Sequence, residues 1–488
     1  MKHLWYIGIF VFMFIWFAQV HPLAVLDADD WGHISFARNA LPDLNEWNPA
    51  KLFPEILMSF VCTVAAYTVY PITGDYVGAI SIMSALVTSG FITLYVYCFG
   101  KFIRRTFEFE NIEYIYVEIL FFILHFLIFR HGDTGNTYLF HCEDLTCYYN
   151  YLLPALLNAS IVLCMIENEK IKEFESGGDA IKRGLFYVVL YLAIFSNLID
   201  NIILVGYAEV EICICIIRMI KEKGNLKKIL KERSLFIGVV LCWCVCVGFE
   251  LLGGRASIAN GASTSLWQDV WQTMINFIGL MNTMHKIFIL FAGGVSALAI
   301  VLLVVQKKKE DNIIVYRTLG MILGLAVLLL VYAIMITAKV NVNYISRSEY
   351  IFGVFFYSLL FVTTCFGYIM KKMEEITVLI PLMLCVLVSF VNTNLRTFKD
   401  SNQFTISGAL CNEISKDLVE QVIKADQAGL TSIELEVSKS GGVNNWPQAI
   451  YMGESMSVVL YKHGVTHRKI EIKLIPSVEY NEKYQLYQ

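Results

Sequence analysis

Long apolar runs recur along most of this chain, separated by short polar stretches. Runs of about 20 apolar residues are long enough to cross a bilayer as helices. They predict spans at about 4–22, 77–100, 113–130, 148–166, 184–199, 202–220, 235–252, 283–305, 314–338, 351–370 and 376–392. The pattern changes after Val391, and residues 393–488 are polar with no spanning run. Asp417 to Gln427 has helical periodicity, whereas Ser432-Ile433-Glu434-Leu435-Glu436-Val437 and Lys469 to Lys473 alternate like strands, the second leading into Leu474. The expected fold is an all-α polytopic membrane protein of about 11 transmembrane helices followed by a small C-terminal α/β domain.

Composition agrees with this class. The 488 residues are 57% hydrophobic and 16% charged, against roughly a quarter charged in a soluble protein. The net charge of −4 gives no reason to expect a nucleic-acid partner, and the placement of cations is more informative than their sum. Lys101/Arg104/Arg105, Lys170/Lys172/Lys182/Arg183, Lys221 to Arg233, Lys307/Lys308/Lys309 and Lys371/Lys372 fall in alternate loops. The positive-inside rule puts these loops and the N-terminus in the cytoplasm, and the C-terminal domain outside. Residues 55–70 are apolar enough to span, but a span there would invert every later loop. They are read as a juxtamembrane or re-entrant helix closed by Pro71 and Gly74. The apolar N-terminal run lacks a small-x-small cleavage site before His21 and Pro22, so an uncleaved first helix is expected. None of the 13 cysteines forms a CxxC pair. Cys142 and Cys147 could be a small disulfide or two thiols.

Candidate chemistry clusters in the outer loops. The first, 21–76, carries Asp27, Asp29 and Asp30 directly after the first span, with Trp31, His33, Arg38, Asp43, Glu46, Trp47 and Glu55. Packed carboxylates at a helix boundary suit general-base or metal chemistry. Tryptophan beside acids suits sugars, although interfacial anchoring explains it equally well. The second loop holds His131, Asp133, His141, Glu143 and Asp144 without a fixed metal spacing, and reads as a hydrated loop. Asp200 and Asn201 read as a helix turn. Further on, Arg255 lies in a loop of small polar residues, and Arg347 and Glu349 open a later span. Arginine near a helix start suits phosphate, with snorkelling or pairing to Glu349 as the ordinary alternative. There is no Walker A, GxGxxG, GxSxG or zinc motif, so no nucleotide cofactor is expected.

Asp29-Asp30-Trp31 after an uncleaved first helix, then Phe53-Pro54-Glu55 returning through to Lys101, resembles the GT-C membrane glycosyltransferases, in particular bacterial family-39-like and O-antigen-glucosylating Gtr types. Asn445-Trp446-Pro447-Gln448-Ala449 through Leu460-Tyr461-Lys462-His463-Gly464 is similar to the tails of such enzymes. The resemblance covers nearly the whole chain and implies a GT-C-like domain at 1–392. It implies a multi-pass enzyme of the bacterial plasma membrane that moves a sugar from a polyprenyl-phosphate donor to an envelope glycan acceptor on the outer face. Asp29 and Asp30, with Asp27 in reserve, would be the base or hold a metal. Arg347 would hold the donor phosphate, and Trp31, His33, Arg255 and Glu349 complete the substrate-binding set. A divalent cation, magnesium or manganese, stays open because the residues after the acid pair depart from the family pattern. The other readings are a flippase for a lipid-linked saccharide, a lipid-linked glycan ligase or polymerase, and a non-catalytic envelope scaffold.

Overall fold

The computed structural model describes residues 2–35, 50–109, 112–130, 136–167, 180–222, 233–252, 265–305, 310–391 and 406–486. It is mostly helical, with one two-stranded sheet. In chain order the helices are α1 (Lys2–Ile15), α2 (Ala28–Ser35), α3 (Leu52–Thr68), α4 (Tyr76–Phe107), α5 (Glu113–Leu127), α6 (Leu153–Glu167), α7 (Ala180–Ile194), α8 (Leu198–Glu222), α9 (Ser234–Leu252), α10 (Leu266–Met281), α11 (Lys286–Val305), α12 (Glu310–Val340), α13 (Phe352–Lys372) and α14 (Ile380–Ser389). Then come α15 (Gly408–Gln427), β1 (Ser432–Ser438), α16 (Met452–Lys462), β2 (Glu471–Ser477) and α17 (Val478–Lys483).

Each expected apolar window carries a helix, but fewer than eleven qualify as crossings. Among the described residues, six helical stretches are long and apolar enough to cross a membrane: Leu52–Thr73, Tyr76–Phe107, Leu145–Ile166, Lys286–Val305, Ile313–Val340 and Phe352–Lys372. The helices at Leu4–Val20, Ser234–Glu250 and Glu375–Ser389 are apolar but shorter. The six include the 52–73 stretch that sequence reasoning put on the surface. Its close matches the sequence, because Pro71 opens its last turn and Gly74 leaves it in a left-handed conformation (φ 68°) that suits glycine. Asp75 then caps α4 by accepting a hydrogen bond from Gly78 N at 2.9 Å.

The bundle is locked by a few specific pairs. α4 and α6 run in the same direction, with Tyr149 on Ser84 (3.2 Å) and, further along, Cys98 beside Cys164 (3.4 Å). α1 runs against α4, its Tyr6 ring meeting Tyr97 at 5.1 Å while Leu23, beyond its far end, accepts from Ser81. Glu118 of α5 is buried and accepts from Trp5 Nε1 (2.9 Å) and Tyr6 Oη (2.7 Å). Gly100 makes room for it, since a Cβ there would overlap the Glu118 carboxyl. Aromatic rings fill the space between α4, α5 and α13, with Phe99 stacked on Phe121 at 3.8 Å and Phe352 parallel to His125 at 6.2 Å.

The C-terminal segment has the expected strands. β1 and β2 pair in parallel, Ser432 opposite Glu471 through Ser438 opposite Ser477, with α16 as the crossover. Helix α15 begins at Gly408, earlier than its periodicity suggested, because Ser407 caps it by accepting from Leu410 N. That extra turn reaches the N-terminal loop. A Cβ on Gly408 would collide with the Pro22 carbonyl and press on Glu143. His463, after α16, sits between Tyr76 Oη (2.7 Å) and Thr63 Oγ1 (3.3 Å), and Lys416 pairs with Asp75 at 2.9 Å.

Gly408→Ala should therefore loosen the segment from the first loop at a cost of about 1–3 kcal/mol. A thermal-unfolding scan of the purified chain checks this. Gly32→Ala, where a Cβ meets nothing within 4 Å, should leave the transition in place or raise it slightly.

Candidate functional site

The acid cluster starts where α1 ends. After the π-helical turn Trp16–Val20 the chain runs extended and pairs with the segment before α6. Ala24 N donates to Glu143 O at 2.7 Å, and Leu145 N donates back to Ala24 O at 3.3 Å. Asp27 and Asp30 then form a reciprocal capping box on α2. Asp27 Oδ1 accepts from Asp30 N (2.8 Å), while Asp30 Oδ2 accepts from Asp27 N (3.2 Å) and Leu26 N (2.8 Å). The other oxygen of Asp30 accepts from Thr146 N at 3.0 Å and Thr146 Oγ1 at 2.6 Å. Asp144 caps the following turn through Cys147 N at 2.7 Å.

The three acids thus have three environments. Asp30 is buried, yet its carboxylate accepts four hydrogen bonds. Burial pushes its pKa up, the Thr146 and backbone donors pull it down, and it settles at about 6. Asp27 is buried with a single acceptor bond, and its Oδ2 has no hydrogen-bond partner among the described residues. Burial, then Asp30, Asp144 and Asp29, hold its carboxyl well above the usual carboxylate range. Of the pair, Asp27 is held the more strongly toward its protonated form, because it has one donor where Asp30 has four. Asp29, between them, points outward and is exposed.

Trp31 is fully buried and stacks on Tyr76 (6.5 Å between centroids, 24° between planes), so its ring face is not open to a sugar. His33 is half-buried one turn on. The second loop is also not the hydrated surface expected of it. His141, Glu143 and Asp144 are all buried. His21 approaches Glu143 Oε1 at 3.2 Å through Nδ1, while its Nε2 lies 2.8 Å from His141 O. A carbonyl only accepts, so Nε2 carries the hydrogen and Nδ1 faces the carboxyl. No disulfide joins Cys142 to Cys147.

Arg347 reaches this region from the other side. Its Nε donates to Glu349 Oε1 at 2.6 Å, and its Nη2 lies 3.1 Å from Cys147 Sγ. The guanidinium sits over the rings of Tyr151 (5.1 Å) and Tyr344 (5.6 Å), with 22% of the side chain exposed. Glu349 is fully buried and also accepts from Thr137 Oγ1. Thr146 and Cys147 are neighbours in the chain, so one short turn joins the Asp30 carboxylate to the Arg347 guanidinium. Sequence spacing carried no signal for either residue. Asp200 and Asn201, expected at a turn between two helices, are buried there.

The C-terminal segment closes over the cluster. Asn412 accepts from Val25 N and donates to Leu23 O, each at 3.0 Å, Ser415 Oγ donates to Val25 O, and Ala28 N donates to Pro447 O at 3.1 Å. Among the described residues no three His, Cys, Asp or Glu side chains converge as metal ligands. Of the acids, Asp30 is the one whose oxygens are both engaged with backbone and hydroxyl donors. Arg38, Asp43, Glu46, Trp47, His131, Asp133 and Arg255 lie outside the described residues.

Two outcomes follow. A folded-state acid whose pKa is raised binds its proton more tightly than the unfolded chain does, so stability falls as pH rises through the window from about 4 to 6 and beyond. Asp27→Asn should flatten that dependence, read as the transition temperature across pH 4–8. Thr146→Val, which removes a charge-assisted hydrogen bond, should cost about 1.5–3 kcal/mol in the same scan. No protein-family profile, curated protein or solved structure matches the chain.

Proposed function

We propose that the chain is a membrane glycosyltransferase. It takes a sugar from a polyprenyl-phosphate donor and passes it to an envelope glycan on the outer face. What carries this reading is the bridge at Thr146–Cys147, which brings a carboxylate cluster and an arginine to one site. Transfer needs both. A base must take the proton of an acceptor hydroxyl as its oxygen attacks the anomeric carbon. The bond from that carbon to the phosphate oxygen breaks, and a cation must receive the charge left on the phosphate.

Asp29 is the best base. The lone pairs of Asp30 are taken by four donors, and Asp27 is held toward its protonated form, whereas Asp29 is exposed on the first turn of α2. Asp30 and Asp27 position that turn. Arg347, half-buried beside Tyr151 and Tyr344, is the candidate for the donor phosphate, with Glu349 aligning it. His33, one turn on from Asp29 in the same helix, is the candidate to meet the acceptor. No metal step is invoked.

The cationic loops support an orientation with the N-terminus in the cytoplasm and the acid cluster outside. In that frame residues 393–488 form an extracytoplasmic α/β domain, and α1, α5, α7, α8, α9 and α14 join five of the six longer stretches, all but 52–73, to make 11 membrane segments. α4 has 32 residues, about 48 Å at 1.5 Å per residue, more than a hydrocarbon core of about 30 Å. Its first turns therefore project from the membrane, where Asp75 and Ser81 meet the C-terminal segment and first loop. α3 starts on Phe195 and Ser196 and ends with Tyr67 on Lys462. Both contacts belong to the outer side in this frame, which supports the juxtamembrane reading of residues 55–70.

The purified chain in detergent, supplied with polyprenyl-phosphate sugar and envelope glycan, should transfer sugar. This excludes pure transport, since detergent leaves no compartments. Asp29→Asn should lower the rate about 100-fold or more with folding intact. Full activity in both Asp29→Asn and Arg347→Gln would overturn the assignment.

A further inference from the structure

The hairpin between α7 and α8 holds a set of polar atoms that the proposed chemistry leaves unused. Asn197 caps α8, its Oδ1 accepting from Ile199 N at 3.3 Å and its Nδ2 donating to Asn150 O at 3.1 Å. Asp200 follows in the first turn and is 1% exposed. Neither of its carboxyl oxygens has a hydrogen-bond partner among the described residues. The same holds for Asn201 Oδ1 and Asn150 Oδ1, both buried. The two amides are not misoriented. Asn201 Nδ2 donates to Ile194 O at 2.8 Å and Asn150 Nδ2 donates to Thr146 O at 3.0 Å, so each oxygen must point the other way.

Four buried oxygens on three side chains therefore have no hydrogen-bond partner among the described residues. An unpaired buried carboxyl destabilises a fold, so a residue of this kind at such a position needs a reason outside packing. The location supplies one. Asn150 precedes Tyr151, whose ring lies under the Arg347 guanidinium, and its amide is anchored on Thr146. Asp200 in turn lies within the electrostatic reach of Glu349, the partner of Arg347. A group held here has to bring its own hydrogens, and several of them.

We propose that Asp200, Asn201 and Asn150 form a hydroxyl-binding subsite that receives the sugar of the lipid-phosphate donor, beside the arginine that takes its phosphate. This rests on the reading of Arg347 given above. Sugar hydroxyls donate in several directions at once, which matches acceptors grouped without donors. A site built to bond hydroxyls also discriminates strongly against a ligand that lacks them.

The test measures binding to the full-length chain in detergent. The probes are bare polyprenyl phosphate and the same lipid bearing glucose, galactose or N-acetylglucosamine. Wild type should bind at least one sugar-bearing lipid about tenfold or more tighter than the bare phosphate, the scale of one or two net hydrogen bonds. Asp200→Asn and Asp200→Leu should lose that gain while keeping the affinity for bare phosphate. Arg347→Gln should weaken all the lipids alike. The melting temperature of Asp200→Leu should stay or rise, since it removes a carboxyl that has no partner. A gain that persists in both Asp200 variants overturns the subsite, as does a fall in melting temperature, which would mark Asp200 as a structural element. A shift produced by magnesium alone and abolished by Asp200→Asn would make this a cation site and overturn it too. If wild type binds bare phosphate but gains nothing from any sugar, the subsite falls and the phosphate reading stands. If it binds no lipid, both fall.

Discussion

One buried charge organises this end of the molecule. Asp30 lies out of water, and a carboxylate there must collect donors or give up its charge. It collects four, two from its own loop and two from Thr146. Satisfying that single group fixes the start of α2, the path of the extended strand before it and the turn that leads into α6. The arginine arrives at the same turn through Cys147, so its position relative to the acids is inherited from the same bonds.

The arrangement also explains how three clustered acids can coexist. Full ionisation of Asp27, Asp29 and Asp30 beside Asp144 would be strongly repulsive. The fold separates them by environment. One has its charge satisfied by four donors, one is buried with a single donor, and one faces solvent. On the function proposed above, the base must be ionised and reachable, and reachability is what favours Asp29. The roles that sequence reasoning left shared among the acids divide according to burial.

Much of the architecture was legible in the chain. The apolar windows locate the helices, Pro71 and Gly74 close the 52–73 stretch, and the alternation at 432–437 and 469–474 marks the parallel strands. The capping box was missed: Asp27 and Asp30 stand three apart, the spacing of such a box, but sequence reasoning assigns the acids to chemistry instead. Its burial was not legible. Leu23 and Val25 are covered by Asn412 and Ser415, far along the chain, and no local pattern announces such contacts. The same cause made His141, Glu143 and Asp144 look like surface polar residues. Composition reads them as wet, while tertiary packing makes them dry. Trp31 shows the converse, since its neighbours in sequence suggest a sugar platform and its neighbour in space is Tyr76.

The bonds from Asn412 and Ser415 to the first loop set an order in time. Asn412 meets Val25 across 387 positions of chain. During synthesis the N-terminal helix and its acids emerge first, and the residues that cover them emerge after nearly all the membrane helices. Until then the backbone groups of Leu23 and Val25 must be met by water. The four donors of Asp30 all lie at or before Thr146, so that carboxylate can be satisfied early, whereas the covering of its loop waits for the last segment to dock.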